Sequence, residues 1–89
     1  MKYTRAELET VIREWESGPT WENVEARTDL LRVRATLPER ERMTLFYLCQ
    51  GLLAKEIAQK LLVSPRTAAT LVRETQANVL RKLNEGASA

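Results

Sequence analysis

The 89 residues contain no histidine and a single cysteine, Cys49. These shortages exclude the common zinc sets, an internal disulfide, and the Cys-His and Ser-His dyads of nucleophilic catalysis. With only 3 glycines, no Gly-rich loop is available to cradle a phosphate. The carboxylates fall on charged helix faces rather than beside strained loops. No apolar run approaches the roughly 20 residues of a membrane span, and the opening MKYTRAELE has basic residues but no apolar core of a secretory signal. The expectation is a non-enzymatic, cytoplasmic protein with no cofactor, no metal and no membrane partner.

What is present is an ordinary globular mixture, 44% hydrophobic and 29% charged. The length suits one domain over residues 1–89, made of several short helices sharing one apolar centre. The net charge of +2 is small but uneven. Residues 1–36 hold six Lys/Arg against seven Asp/Glu, whereas 37–89 hold eight against five. The basic excess lies in the second part.

Helical spacing predicts an all-α fold of about five helices, with no strand alternation in competition. Thr4 and Glu7 have the form of a capping box, and Leu8, Val11, Ile12 and Trp15 recur at i, i+3, i+4, i+7, so a helix is expected from about Arg5 to Glu16. Ser17-Gly18-Pro19 stops it. Thr20 can cap a second helix, about Trp21 to Thr36, with Trp21, Val24, Leu31 and Ala35 on one face and Leu30, Val33 and Leu37 widening it. Both tryptophans then sit on apolar helix faces, as core anchors or as a partner or self-association surface. Pro38 opens a third helix with Leu45, Leu48 and Cys49 as its buried stripe, ended by Gln50-Gly51. Cys49 reads as a small buried apolar residue.

A fourth helix, about Leu53 to Leu61, places Ala54, Ile57, Ala58 and Leu61 in one arc. Ser64-Pro65 restarts the chain as N-cap and first helical residue. The fifth helix, about Pro65 to Asn84, has Ala68, Leu71, Val72, Thr75 and Val79 on one side. Arg66, Thr70, Arg73, Glu74, Ala77 and Arg81 lie opposite. Glu85 to Ala89 reads as a frayed tail.

Residues 53–74 therefore contain a short helix with a small Ala58 inside, a turn of a few residues, a Ser-Pro restart, and a longer helix with exposed Arg and Thr at its start. This matches the helix-turn-helix plan, in which the first helix braces on the DNA backbone and the second reads base edges in the major groove. A purely structural helical hairpin shares these features.

From Leu37 the stretch LPERERMTLFYLCQGLLAKEIAQKLLVSPRT resembles the helix-turn-helix domain of LuxR-type transcription regulators and, nearly as well, the fourth conserved region of bacterial sigma factors. "RER" at 40–42, "QGL" at 50–52, "KEIA" at 55–58, Leu61, "VSxxT" at 63–67 and "LRKL" at 80–83 carry the resemblance. It implies a DNA-binding part at 37–84 with a recognition helix at about 65–84, behind an N-terminal helical pair at 1–36.

By that resemblance Arg40 and Lys55 would contact phosphate, and Thr67, Ala69 and Thr70 would face the major groove. Helical phasing adds Arg66 and Arg73, and the hydroxyl of the N-cap Ser64 is a further candidate for phosphate. The chain departs from the pattern at Leu62, where the turn usually has glycine, at Leu53-Ala54, which replace a polar cap, and at Ala68-Ala69, which replace Val-Lys. Between Thr67 and "LRKL" it is also longer by about four residues, one helical turn.

In LuxR-type domains a further helix often supplies dimer contacts. Here a homodimer is expected to use the N-terminal helices, the end of the last helix, or both, with Trp15, Trp21 and Leu80 as candidate surface residues. Two readings follow. One is a bacterial or phage transcription regulator that binds double-stranded DNA as a dimer. The other is a sigma-like interaction module that binds RNA polymerase or another transcription protein, with little DNA affinity.

Overall fold

The computed structural model describes the backbone of residues 2–88 and the side chains of residues 2–85. Its regular structure is helical throughout these residues: α1 (Arg5–Arg13), α2 (Val24–Arg34), α3 (Glu39–Cys49), α4 (Ala54–Leu61) and α5 (Pro65–Ser88), with a 3₁₀ turn at Trp15–Ser17 after α1. The all-α expectation holds, including the long last helix.

The capping box forms as read. The Glu7 N–H donates to Thr4 Oγ1 at 3.2 Å, and the Thr4 N–H donates to Glu7 Oε1 at 3.2 Å. The helix stops at Arg13 instead of Glu16, because the chain tightens into the 3₁₀ turn that Gly18 closes at φ 89°. Only glycine adopts that conformation without a Cβ clash.

The expected second helix needs two corrections. The Asn23 N–H donates to Thr20 Oγ1 at 3.2 Å and the Thr20 N–H to Asn23 Oδ1 at 2.7 Å, which closes residues 20–23 into a turn. Regular helix therefore begins at Val24, not Trp21. The buried face also differs. Leu30 and, just past the helix, Leu37 enter the core, with Ala26 and Val33 packed against it, while Trp21, Val24, Leu31 and Ala35 are exposed. The helix carries two apolar stripes, and the fold buries the one continuous with Leu37.

Trp21 is therefore no core anchor; it is 97% exposed. Trp15 is half-buried against the core, with the Arg27 guanidinium 4.0 Å from its ring centroid and Arg27 Nη1 donating to its carbonyl at 2.8 Å.

One core unites both parts of the chain: Tyr3, Leu8, Ile12, Leu30, Leu37, Leu45, Cys49, Val79 and Leu83. Burial pushes the Cys49 thiol up to about 11, as an apolar surround disfavours thiolate. Tyr3, unread in the sequence, belongs to a clasp. Its N–H and that of Lys2 donate to Asn84 Oδ1 at 2.8 and 3.1 Å, Asn84 Nδ2 donates to the Tyr3 carbonyl at 3.1 Å, and the Tyr3 hydroxyl donates to Asp29.

Two threonines reach the interior. Thr44 satisfies its hydroxyl on the Arg40 carbonyl at 2.8 Å, whereas the buried Thr75 Oγ1 has no hydrogen-bond partner among the described residues. The last helix runs past Asn84 to Ser88, so the tail expected to fray from Glu85 is helical up to there, with Arg81 Nη1 donating to Glu85 at 2.8 Å. Ala89 lies outside the described residues.

Candidate nucleic-acid interface

α4 packs on α5, and each brings a buried alanine, Ala58 and Ala68. Small side chains let two helices approach closely. The connection between them is three residues, Leu62 to Ser64. Leu62 takes the left-handed conformation at φ 57°, ψ 45°, where a glycine is usual, and the Val63 N–H reaches back to the Ala58 carbonyl at 3.0 Å. Leu62 Cα turns the chain in place of glycine, and its side chain is left in solvent.

Ser64 then caps α5. Its Oγ accepts the Thr67 N–H at 3.2 Å and donates to Thr67 Oγ1 at 2.9 Å. The Ser64 hydroxyl hydrogen is thus spent inside the cap, which leaves the Thr67 hydroxyl hydrogen as the outward donor of the pair. The bracing helix lacks a side-chain cap at Leu53, but Glu56 substitutes in part, accepting the Leu53 N–H at 2.8 Å.

Arg66, Ala69, Thr70 and Arg73 stand at i, i+3, i+4 and i+7 on the first turns of α5, so one helix face brings them together. Arg66, Thr67, Ala69 and Arg73 are exposed and Thr70 is half-buried. Lys55 is exposed in the first turn of α4, and Arg40 is exposed in the first turn of α3. α3 is itself tied to α5, since Asn78 Nδ2 donates to Glu41 at 2.7 Å.

The distribution of ion pairs is uneven. Lys2, Arg5, Arg32 and Arg81 each pair with a carboxylate, whereas Arg40, Lys55, Arg66 and Arg73 pair with none among the described residues. Unpaired exposed cations give up no internal partner when they meet an anion. The carboxylate nearest in sequence to Lys55, Glu56, is turned to the Leu53 N–H.

Tertiary packing brings two further cations alongside: Lys60, unpaired among the described residues, and Arg5, which keeps its pair with Glu9. Lys60 lines a shallow hollow with Arg40, Met43 and Leu61, which places the end of α4 beside the start of α3. Arg5 of α1 lines a groove with Arg73, Leu80 and Arg81. Sequence periodicity could not find either, because each depends on which helix lies alongside. Leu80 is half-buried, packed against the core, and forms part of that groove. Of the three residues expected at a partner surface, only Trp21 stands free of the core.

A comparison with protein-family models matches residues 35–87 to the bacterial regulatory proteins of the luxR family. No curated protein and no solved structure matches the chain.

Proposed function

The chain belongs to the luxR family of bacterial regulatory proteins, and from that premise we propose that it regulates transcription by binding duplex DNA as a homodimer, with α5 in the major groove. The observation that carries this reading is the single face of α5 on which Arg66 and Arg73 are exposed and unpaired beside Thr67 and Thr70. An arginine on that face can pair bidentately with guanine O6 and N7, and a threonine hydroxyl can bond either a base edge or a phosphate. Ala69 offers a methyl group, suited to the thymine methyl.

Arg40 and Lys60 on one side, and Lys55 at the start of α4, would hold the phosphates flanking the groove. Ser64 acts as the cap that orients Thr67. The N-terminal pair, residues 1–36, supports this unit from behind by supplying Tyr3, Leu8, Ile12 and Leu30 to the shared core.

The test is binding to duplex DNA as salt is raised. A DNA reader loses affinity steeply with salt as counterions are released. Replacing Arg66 and Arg73 together by alanine should weaken binding to the cognate site by about 30-fold or more, at about 1–3 kcal/mol per lost base contact, with thermal unfolding unchanged. A protein that binds no duplex even at low salt sinks this reading and leaves the RNA polymerase module in its place.

A further inference from the structure

The outer stripe of α2 is apolar yet uncovered. Trp21 is 97% exposed, Leu31 45% and Val24 44%, and Thr28 and Ala35 are exposed with them. Positions 21, 24, 28, 31 and 35 follow alternating steps of three and four, the spacing of a seam between paired helices. Trp21 and Val24 line one surface hollow with Pro19 and Thr20, so the stripe continues into the turn ahead of the helix. Thr28 does not interrupt it, because its hydroxyl donates to the Val24 carbonyl at 2.9 Å and its methyl remains for the seam.

We propose that a second copy of this chain packs antiparallel on this stripe, about a two-fold axis near Thr28. The inference deepens the homodimer of the proposed function and rests on that reading. A two-fold there sets Trp21 of one copy opposite Ala35 of the other, large against small. Beside the seam, Glu25 and Arg32 occupy the same edge two turns apart. Each is already in an ion pair within the copy, Glu25 with Lys2 and Arg32 with Asp29. Their side chains stay 71% and 73% exposed, so the axis brings each Glu25 next to the other copy's Arg32 and joins these pairs across the seam. The patch is thus self-complementary in shape and charge, as a two-fold interface requires. On the opposite edge Arg27 is folded over Trp15 and Arg34 is half-buried.

The other exposed apolar feature, the groove at Leu80, is a poor seat for a second copy. Its rim holds Arg73, unpaired among the described residues, beside Arg5 and Arg81, which are already paired with Glu9 and Glu85. A two-fold would set the two copies' Arg73 near one another with no carboxylate in the groove's lining free to meet them. The α2 stripe is small. Its five residues on each copy bury at most about 1,000 Å² in total, the size class of weak and transient complexes.

Sedimentation velocity on the full chain tests this. The wild type should pass from monomer to dimer as its concentration rises through the micromolar range, with the Trp21 fluorescence shifting to the blue. Trp21→Ala and Leu31→Glu should each raise the midpoint concentration at least about 10-fold, the loss expected for a central anchor of an interface. Both residues are exposed, so thermal unfolding should not move. Glu25→Arg should weaken the dimer. A wild type that stays monomeric at every concentration, or a midpoint indifferent to Leu31→Glu or to Glu25→Arg, overturns the proposal. A monomer that still binds duplex DNA in a salt-dependent way would leave the DNA reading intact, and a dimer that binds no duplex would do the reverse.

Discussion

Leu62 sits at φ 57° with 91% of its surface exposed. The left-handed conformation costs a branched or bulky residue energy that glycine does not spend, and an exposed side chain gains nothing from burial in exchange. Leu62→Gly should therefore raise the denaturation midpoint, worth about 1 kcal/mol after the added flexibility of the unfolded chain is counted. Thr75 presents the converse case, a buried hydroxyl with no partner among the described residues. Valine has nearly the same shape, so Thr75→Val should stabilise the fold by about 1 kcal/mol in the same measurement. At the proposed reading face, Ala69→Lys should strengthen binding to random duplex and steepen its log-log salt slope by about one, the signature of one added phosphate contact. An unchanged slope would place residue 69 away from the DNA backbone.

Among the elements, the clasp between the N-terminal segment, α2 and the end of α5 responds to pH. Burial, then the hydrogen bond to Asp29, pushes the Tyr3 hydroxyl up to about 12, while that same hydrogen bond, with Lys2 nearby, holds Asp29 below its usual value of 3.8. A raised tyrosine binds its proton more tightly folded than unfolded, so its contribution is full below about pH 10 and is lost as pH rises towards 12. The lowered Asp29 contributes above its unfolded value and loses that contribution as pH falls through the folded one. Tyr3→Phe should flatten the alkaline loss and reduce the acid one, read as the melting temperature against pH. This clasp was illegible in the sequence because residues 2–4 have no periodicity, and its partners lie 26 and 81 residues away. α4 and the start of α5 were legible for the opposite reason: one apolar arc each, a cap at Ser64, and local spacing that already assembles Arg66, Thr70 and Arg73. α2 was misread because Trp21, Val24, Leu31 and Ala35 are as regular as the stripe containing Leu30. Period identifies a helix, but the choice between two apolar faces belongs to whatever packs against it.

At the scale of the whole molecule, side chains from both parts of the chain, Tyr3 to Leu30 and Leu37 to Leu83, meet in one core. Leu45, Cys49, Val79 and Leu83 are covered by Tyr3, Leu8, Ile12 and Leu30 in a single cluster. A fragment starting at Leu37 exposes the inner side of α3 and α5, and each large apolar side chain uncovered costs about 1.5–3 kcal/mol, so a marginally stable domain cannot absorb several such losses. The fragment should show little cooperative thermal unfolding by circular dichroism. A fragment that melts as sharply as the full chain would establish the helix-turn-helix part as self-sufficient. This coupling also means that the proposed reading face on α5 depends on the N-terminal helices through the core they share.

Cys49 gives that shared core a chemical clock. It is the only thiol in the chain, it is enclosed where the two parts of the chain meet, and its ionisation is held near 11, so at neutral pH an alkylating reagent finds neither access nor thiolate while the fold is closed. The rate at which iodoacetamide caps this sulfur should therefore follow the opening of the core, and should slow when DNA or a second copy holds the molecule shut.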